Sequence, residues 1–155
     1  MFSTLHTNDA PSAIARLMEL GIPAYLINAT VIGVLAQRLV RTLCPACKQP
    51  DEATTLDALQ EVIEPWRLSG GFKPCKPVGC LECRMTGYRG RAGLYELLSL
   101  DEAAKAAVHP VPDAVRLRQI AAQSGLKPLR MAGVMKVAEG LTTLEEVLRS
   151  TPSWE

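Results

Sequence analysis

Two short cysteine pairs, Cys44-Pro45-Ala46-Cys47 and Cys80-Leu81-Glu82-Cys83, restrict this chain more than any other feature of it. Residues three apart in a tight turn can aim two thiolates at one point, and two such turns complete a tetrahedral shell about 2.3 Å from a soft divalent cation. The spacing predicts one structural Zn²⁺ site held by Cys44, Cys47, Cys80 and Cys83, with residues 48–79 leaving it and returning to it. Four protein ligands leave no position for a catalytic water, so the ion is expected to join remote segments and do no chemistry. Pro45 stiffens the first turn, and Gly79 lets the backbone enter the second without a Cβ clash. Cys75, whose neighbours Pro74 and Pro77 form no matching pair, reads as a free thiol.

Two other uses of cysteine compete with this one. Five cysteines is an odd number, and with no signal-peptide pattern in the sequence it predicts a reducing cytosol and no disulfides. A redox Cys-x-x-Cys normally occurs once, at a helix start in a thioredoxin-like pattern, whereas this chain has two. A net charge of +1 and an aromatic content of 5% give no electrostatic footprint for nucleic acid. That leaves a free-standing zinc-ribbon nucleic-acid-binding module as the weaker alternative. The most apolar run, Ala24 to Leu35, contains Asn28 and Thr30 and leads into Arg38, so it predicts a buried helix with no direct membrane insertion.

In chain order, Phe2 to Leu5 reads as a short strand, entered so abruptly that it predicts a piece of a longer protein with more chain upstream. Asp9 and Pro11 then open a helix that Gly21 and Pro23 stop. Residues 24–37 read as helix and 38–43 as a strand. Within the excursion, a helix is expected over Thr55 to Ile63. Residues 92–98 read as a second strand, and since both strands abut a cysteine pair they are expected to lie antiparallel. Ser99-Leu100-Asp101-Glu102 has the pattern of a capping box for a helix to about Val108, followed by a hinge at Pro110 and Pro112. Three further helices, the last opened by Thr143-Leu144-Glu145-Glu146, are expected to form one C-terminal mini-bundle.

Several runs together resemble the carboxyl-terminal part of the type II secretion and type IV pilus assembly ATPases, hexameric motors with a RecA-like core. Ser3-Thr4-Leu5-His6-Thr7-Asn8-Asp9-Ala10 resembles their histidine box. In the family's order follow Ala36-Gln37-Arg38-Leu39-Val40-Arg41, the two cysteine pairs, Gly87-Tyr88-Arg89-Gly90-Arg91 and Gly140-Leu141-Thr142-Thr143-Leu144-Glu145-Glu146. The resemblance implies an α+β, mainly helical fold with a small antiparallel sheet: the tail end of a RecA-like core over 1–43 (histidine box, helices and a strand), a tetracysteine zinc-binding insertion over 44–91, and a strand with a C-terminal helical subdomain over 92–155. It implies the assembly or secretion branch, since the retraction motors generally lack the cysteines.

The resemblance also implies that His6 lies near the γ-phosphate of ATP in the intact protein and couples nucleotide state to movement. A strand-end imidazole can orient a phosphate-bound water, although a lone histidine in a polar turn can equally serve a structural hydrogen bond. Gln37 and Arg38 fall in a run implied to lie near the nucleotide or a subunit interface. Arg41, Arg89 and Arg91 are ordinary surface candidates. Implied partners are an inner-membrane assembly platform with its anchoring proteins and five further copies of the motor, at the cytoplasmic face of the membrane. No Gly-x-x-x-x-Gly-Lys-Ser/Thr run occurs, so this stretch is expected not to hydrolyse ATP by itself, ATP and Mg²⁺ being bound only by a full-length parent.

Overall fold

The computed structural model describes residues 1–110 and 113–153. Along the chain run α1 (Ala10–Glu19), α2 (Ala24–Thr30), β1 (Gly33–Leu43), β2 (Gln49–Pro50), α3 (Leu56–Val62) and β3 (Cys75–Lys76). A 3-10 turn (Leu81–Cys83), β4 (Tyr88–Ser99), α4 (Glu102–Ala107), α5 (Ala114–Gln123), α6 (Leu129–Ala138) and α7 (Leu144–Ser150) complete it. Strand β1 pairs with β4, and β2 with β3. The fold is thus α+β and mainly helical. It divides into two compact units, residues 1–37 with 95–128 and residues 38–94 with 129–153.

In the first unit, α1 starts where expected. Asp9 accepts a hydrogen bond from Ser12 N at 2.8 Å, and Pro11, which has no N–H to leave unpaired, sits in the first turn. A second buried carboxylate, Glu96 of β4, accepts from Ala10 N at 2.8 Å, so two acidic groups meet the positive end of the helix. Arg118 of α5 closes the group with Nη2 2.6 Å from Asp9 Oδ2, and α5 packs against α1 and α4.

Four expectations fail here, each for a local reason. Residues 2–5 form no strand, because no neighbouring strand among the described residues takes up their backbone groups. The apolar run 24–37 is helix only to Thr30; the β-branched Val31, Ile32 and Val34 favour extended chain, and the backbone of Gly33 lies against Leu98 O on β4. Ser99 ends β4, so the cap of α4 is Asp101, which accepts from Ala104 N at 2.8 Å. The mini-bundle is split: α5 packs in this unit, while α6 and α7 pack together in the other. Of the two hinge prolines, Pro112 lies outside the described residues.

In the second unit the strands run antiparallel as expected, with Thr42 Oγ1 donating to Arg89 O at 2.6 Å and Cys44 N to Gly87 O at 2.9 Å. The excursion is closed by an antiparallel rung that sequence gave no sign of, Gln49 opposite Lys76 and Pro50 opposite Cys75. Thr55 caps α3, accepting from Ala58 N at 3.2 Å. Leu59 and Ile63 then bury against Met131, Val134, Val137 and Ala138 of α6 and Val147 of α7. Each such burial contributes roughly 1.5–3 kcal/mol, so the excursion borrows the core it lacks.

Candidate metal centre

The first cysteine turn is set by Cys47 N and Lys48 N, which donate to Cys44 O at 3.3 and 3.0 Å. The second is the 3-10 turn, entered at Gly79 and left through Arg84 and Met85, whose φ angles of 53° and 63° reverse the chain. Left-handed backbone costs a residue with a Cβ roughly 1–2 kcal/mol, and nothing in those two residue types announced it. Gly79, at φ 113°, turns as expected. Gly87 is a tighter case, since a Cβ there would stand 2.4 Å from Pro77 Cβ.

These turns bring together the four expected sulfurs, and all four lie within 4.8 Å of one another. The Sγ–Sγ separations are 3.9 Å for Cys44–Cys80, 3.8 Å for Cys47–Cys83 and 3.7 Å for Cys80–Cys83. A tetrahedron with metal–sulfur bonds of about 2.3 Å has edges of about 3.8 Å, so the geometry fits one ion. Every cysteine is free of disulfide bonding, and Cys75 lies outside the cluster, its thiol 3.6 Å from Lys73 O.

Backbone amides surround the sulfurs. Gly79 N donates to Cys47 Sγ at 3.3 Å; Cys80 N and Gly87 N donate to Cys83 Sγ at 3.1 and 3.2 Å. Such donors orient thiolates and spread their charge. Burial pushes the Cys47 thiol up to about 11. Burial also opposes ionisation of Cys83, but its two amide donors outweigh that and bring it down to about 6.

A polar latch that sequence reading missed ties the strand leading to this centre to the last helix. Glu146 of α7 is buried, and its carboxylate binds Arg41 at 2.5 Å and Arg149 at 2.6 Å. The Arg41 hydrogen bond, partly offset by burial, holds that carboxyl below the usual range. Tyr88 places its ring 4.1 Å from the Arg41 guanidinium and its hydroxyl 3.0 Å from Thr143 Oγ1. Thr142 donates to Arg41 O at 2.7 Å, and Lys48 Nζ to Gly140 O at 2.8 Å. The Thr143-x-x-Glu146 pattern announced a helix start, and Thr143 does cap α7; it held no sign that Glu146 would be buried.

The remaining candidates are dispersed. His6 is exposed, outside any helix or strand, in the first unit. Gln37, also there, reaches Tyr95 Oη at 3.4 Å from β1, and Arg38 is half-buried on the same strand within the second unit. Arg89 pairs with Glu82 at 2.8 Å, and Arg91 is exposed. No helix of the described residues is long and apolar enough to cross a membrane.

Residues 1–149 match the family described as "Type II/IV secretion system protein". The chain is 46% identical over 152 residues to the "Type IV pilus assembly ATPase TfpB" of Acinetobacter baylyi, covering 98% of this chain and 26% of that protein. It is 43% identical over 151 residues to the "Type IV pilus assembly ATPase PilB" of Myxococcus xanthus, covering 97% and 27%. Against the "Type II secretion system protein E" of Aeromonas hydrophila the identity is 42% over 151 residues, covering 97% and 29%. The chain therefore spans between a quarter and a third of the length of these relatives.

Proposed function

The chain belongs to the Type II/IV secretion system protein family, and from that premise we propose that it is the metal-clamped carboxyl-terminal portion of a motor ATPase that drives protein secretion or pilus extension. Cys44, Cys47, Cys80 and Cys83 hold one Zn²⁺. When bound, the ion supplies charge compensation and cross-linking and no reaction step. The Gly79, Cys80 and Gly87 amides keep the sulfurs aimed, and the Arg41–Glu146 pair carries any displacement of the centre into α7. ATP and Mg²⁺ are bound by other parts of the longer protein, which works as a hexamer at the cytoplasmic face of the inner membrane, against an assembly platform. Residues 1–43 belong with its catalytic core. His6 reports the state of the nucleotide, with Gln37 and Arg38 near the nucleotide or a subunit boundary.

The observation that carries this reading is the group of four sulfurs, drawn from turns 36 residues apart, at the edge lengths of one tetrahedral ion. The test is metal analysis of the full-length protein with assays of ATP turnover and of export or piliation. One zinc per chain is expected, with loss of transport after paired Cys44→Ser and Cys80→Ser substitution. A metal-free protein, or a fully active double variant, overturns it.

A further inference from the structure

The outer face of the metal centre has a composition that its structural role does not need. Leu81 is 92% exposed, Met85 67% and Val78 51%, on the same pair of turns that hold the sulfurs. Met85 N donates to Cys80 O at 2.8 Å, and Gly79 lies directly against the Met85 backbone, so the three residues belong to one small turn region. Arg84 lies in the second turn and Arg89 and Arg91 on the strand that leaves it, all exposed; Arg89 pairs with Glu82, and the nearby Lys76 is offset by the Asp51 carboxylate. Methionine and arginine are among the residues enriched in protein-binding patches, and an exposed apolar centre with a charged rim has their layout.

We propose that this tip, Val78, Leu81 and Met85 with Arg84, Arg89 and Arg91, is a docking surface for a protein partner that presents an apolar patch bordered by carboxylates. The basic surplus sets the sign of the partner's rim, because like charges across an interface cost more than the apolar contact returns. A bilayer fits less well. Residues 76–87 contain no Trp or Tyr to anchor in the headgroup layer, and inserting Leu81 would carry the neighbouring Glu82 carboxylate toward the lipid. The metal gives the tip its value: a loop already held by four bonds loses little conformational freedom on binding. The inference rests on the metal-site reading for that rigidity.

The test uses the full-length protein in cells with the photo-crosslinker p-benzoylphenylalanine introduced at Leu81, the adducts being mapped by mass spectrometry. The expected adduct is a different protein, crosslinked at a segment where apolar residues are flanked by Asp or Glu. Its yield should fall at least about tenfold with Arg84→Glu plus Arg91→Glu, the scale of two rim charges reversed. Leu81→Ser plus Met85→Ser should lower transport while zinc content and ATP turnover stay unchanged. Adducts only with a second copy, flotation of purified protein on phosphatidylglycerol vesicles that needs Leu81, or wild-type transport in both double variants each overturn the proposal. A protein that lacks zinc refutes the metal reading itself, so the two failures are told apart by metal content.

Discussion

The metal centre and the histidine segment are both short, polar-flanked and rich in chemistry, yet the chain treats them in opposite ways. Cys44, Cys47, Cys80 and Cys83 are aimed by turns, three backbone amides and a paired strand, so their geometry is complete within residues 38–94. His6 is exposed, and beyond it Thr7 Oγ1 donates to Asp9 O at 3.1 Å. A metal site carries its own organising force. A histidine that serves a ligand needs that ligand, or another part of the protein, to give it a position.

The contrast can be broken at several points, and the largest effect on folding is expected at the ion. Chelation, or Cys44→Ser with Cys80→Ser, should remove several kcal/mol and the cooperative melting of residues 38–94. The same stoichiometric loss should appear in a zinc titration, as structural zinc is commonly worth about 10 kcal/mol or more of folding free energy in small domains. An unchanged melting curve on chelation would show that helix packing alone holds the excursion.

Next in size is Leu59→Ala, expected to cost about 2–5 kcal/mol through lost burial and a cavity against α6 and α7, read by denaturant unfolding. A cost near zero would mean that the excursion does not rely on its borrowed core. Glu146→Gln should cost about 1–2 kcal/mol, modest because Arg41 and Arg149 are half-exposed and retain solvent. The pH dependence sharpens that case. The folded carboxyl lies below its ordinary value of 4.5, so its stabilisation is complete above that value and lost as pH falls through the lower folded one. The variant should flatten this acid limb, and an identical limb in both proteins would place the acid sensitivity elsewhere. Smallest is His6→Ala, expected to change stability by less than about 0.5 kcal/mol while lowering ATP turnover of the full-length protein. A destabilised variant would make His6 a structural residue.

Much of this was legible in residue order because the signals are local. Cys-x-x-Cys turns and the Asp9 and Thr143 caps each depend on chemistry within four residues. The run from Ala24 to Gln37 misled because its apolar density is compatible with helix or buried strand. Only the approach of β4 to Gly33 resolves it. The expected bundle of the last three helices failed similarly: each helix announces an apolar face, but not which surface will meet it.

By itself, then, residue order determined which four cysteines would meet, the caps of α1 and α7 and the family, since a motif needs nothing beyond its own spacing and identity. Tertiary structure alone decided that Glu146 is buried beneath Arg41, that Asp9 meets Arg118, and that α3 shares a core with α6 and α7. Those pairings join positions from 68 to 109 residues apart, where no local rule applies. They form because a buried carboxylate must find a cation, and a half-apolar helix must find a face that excludes water.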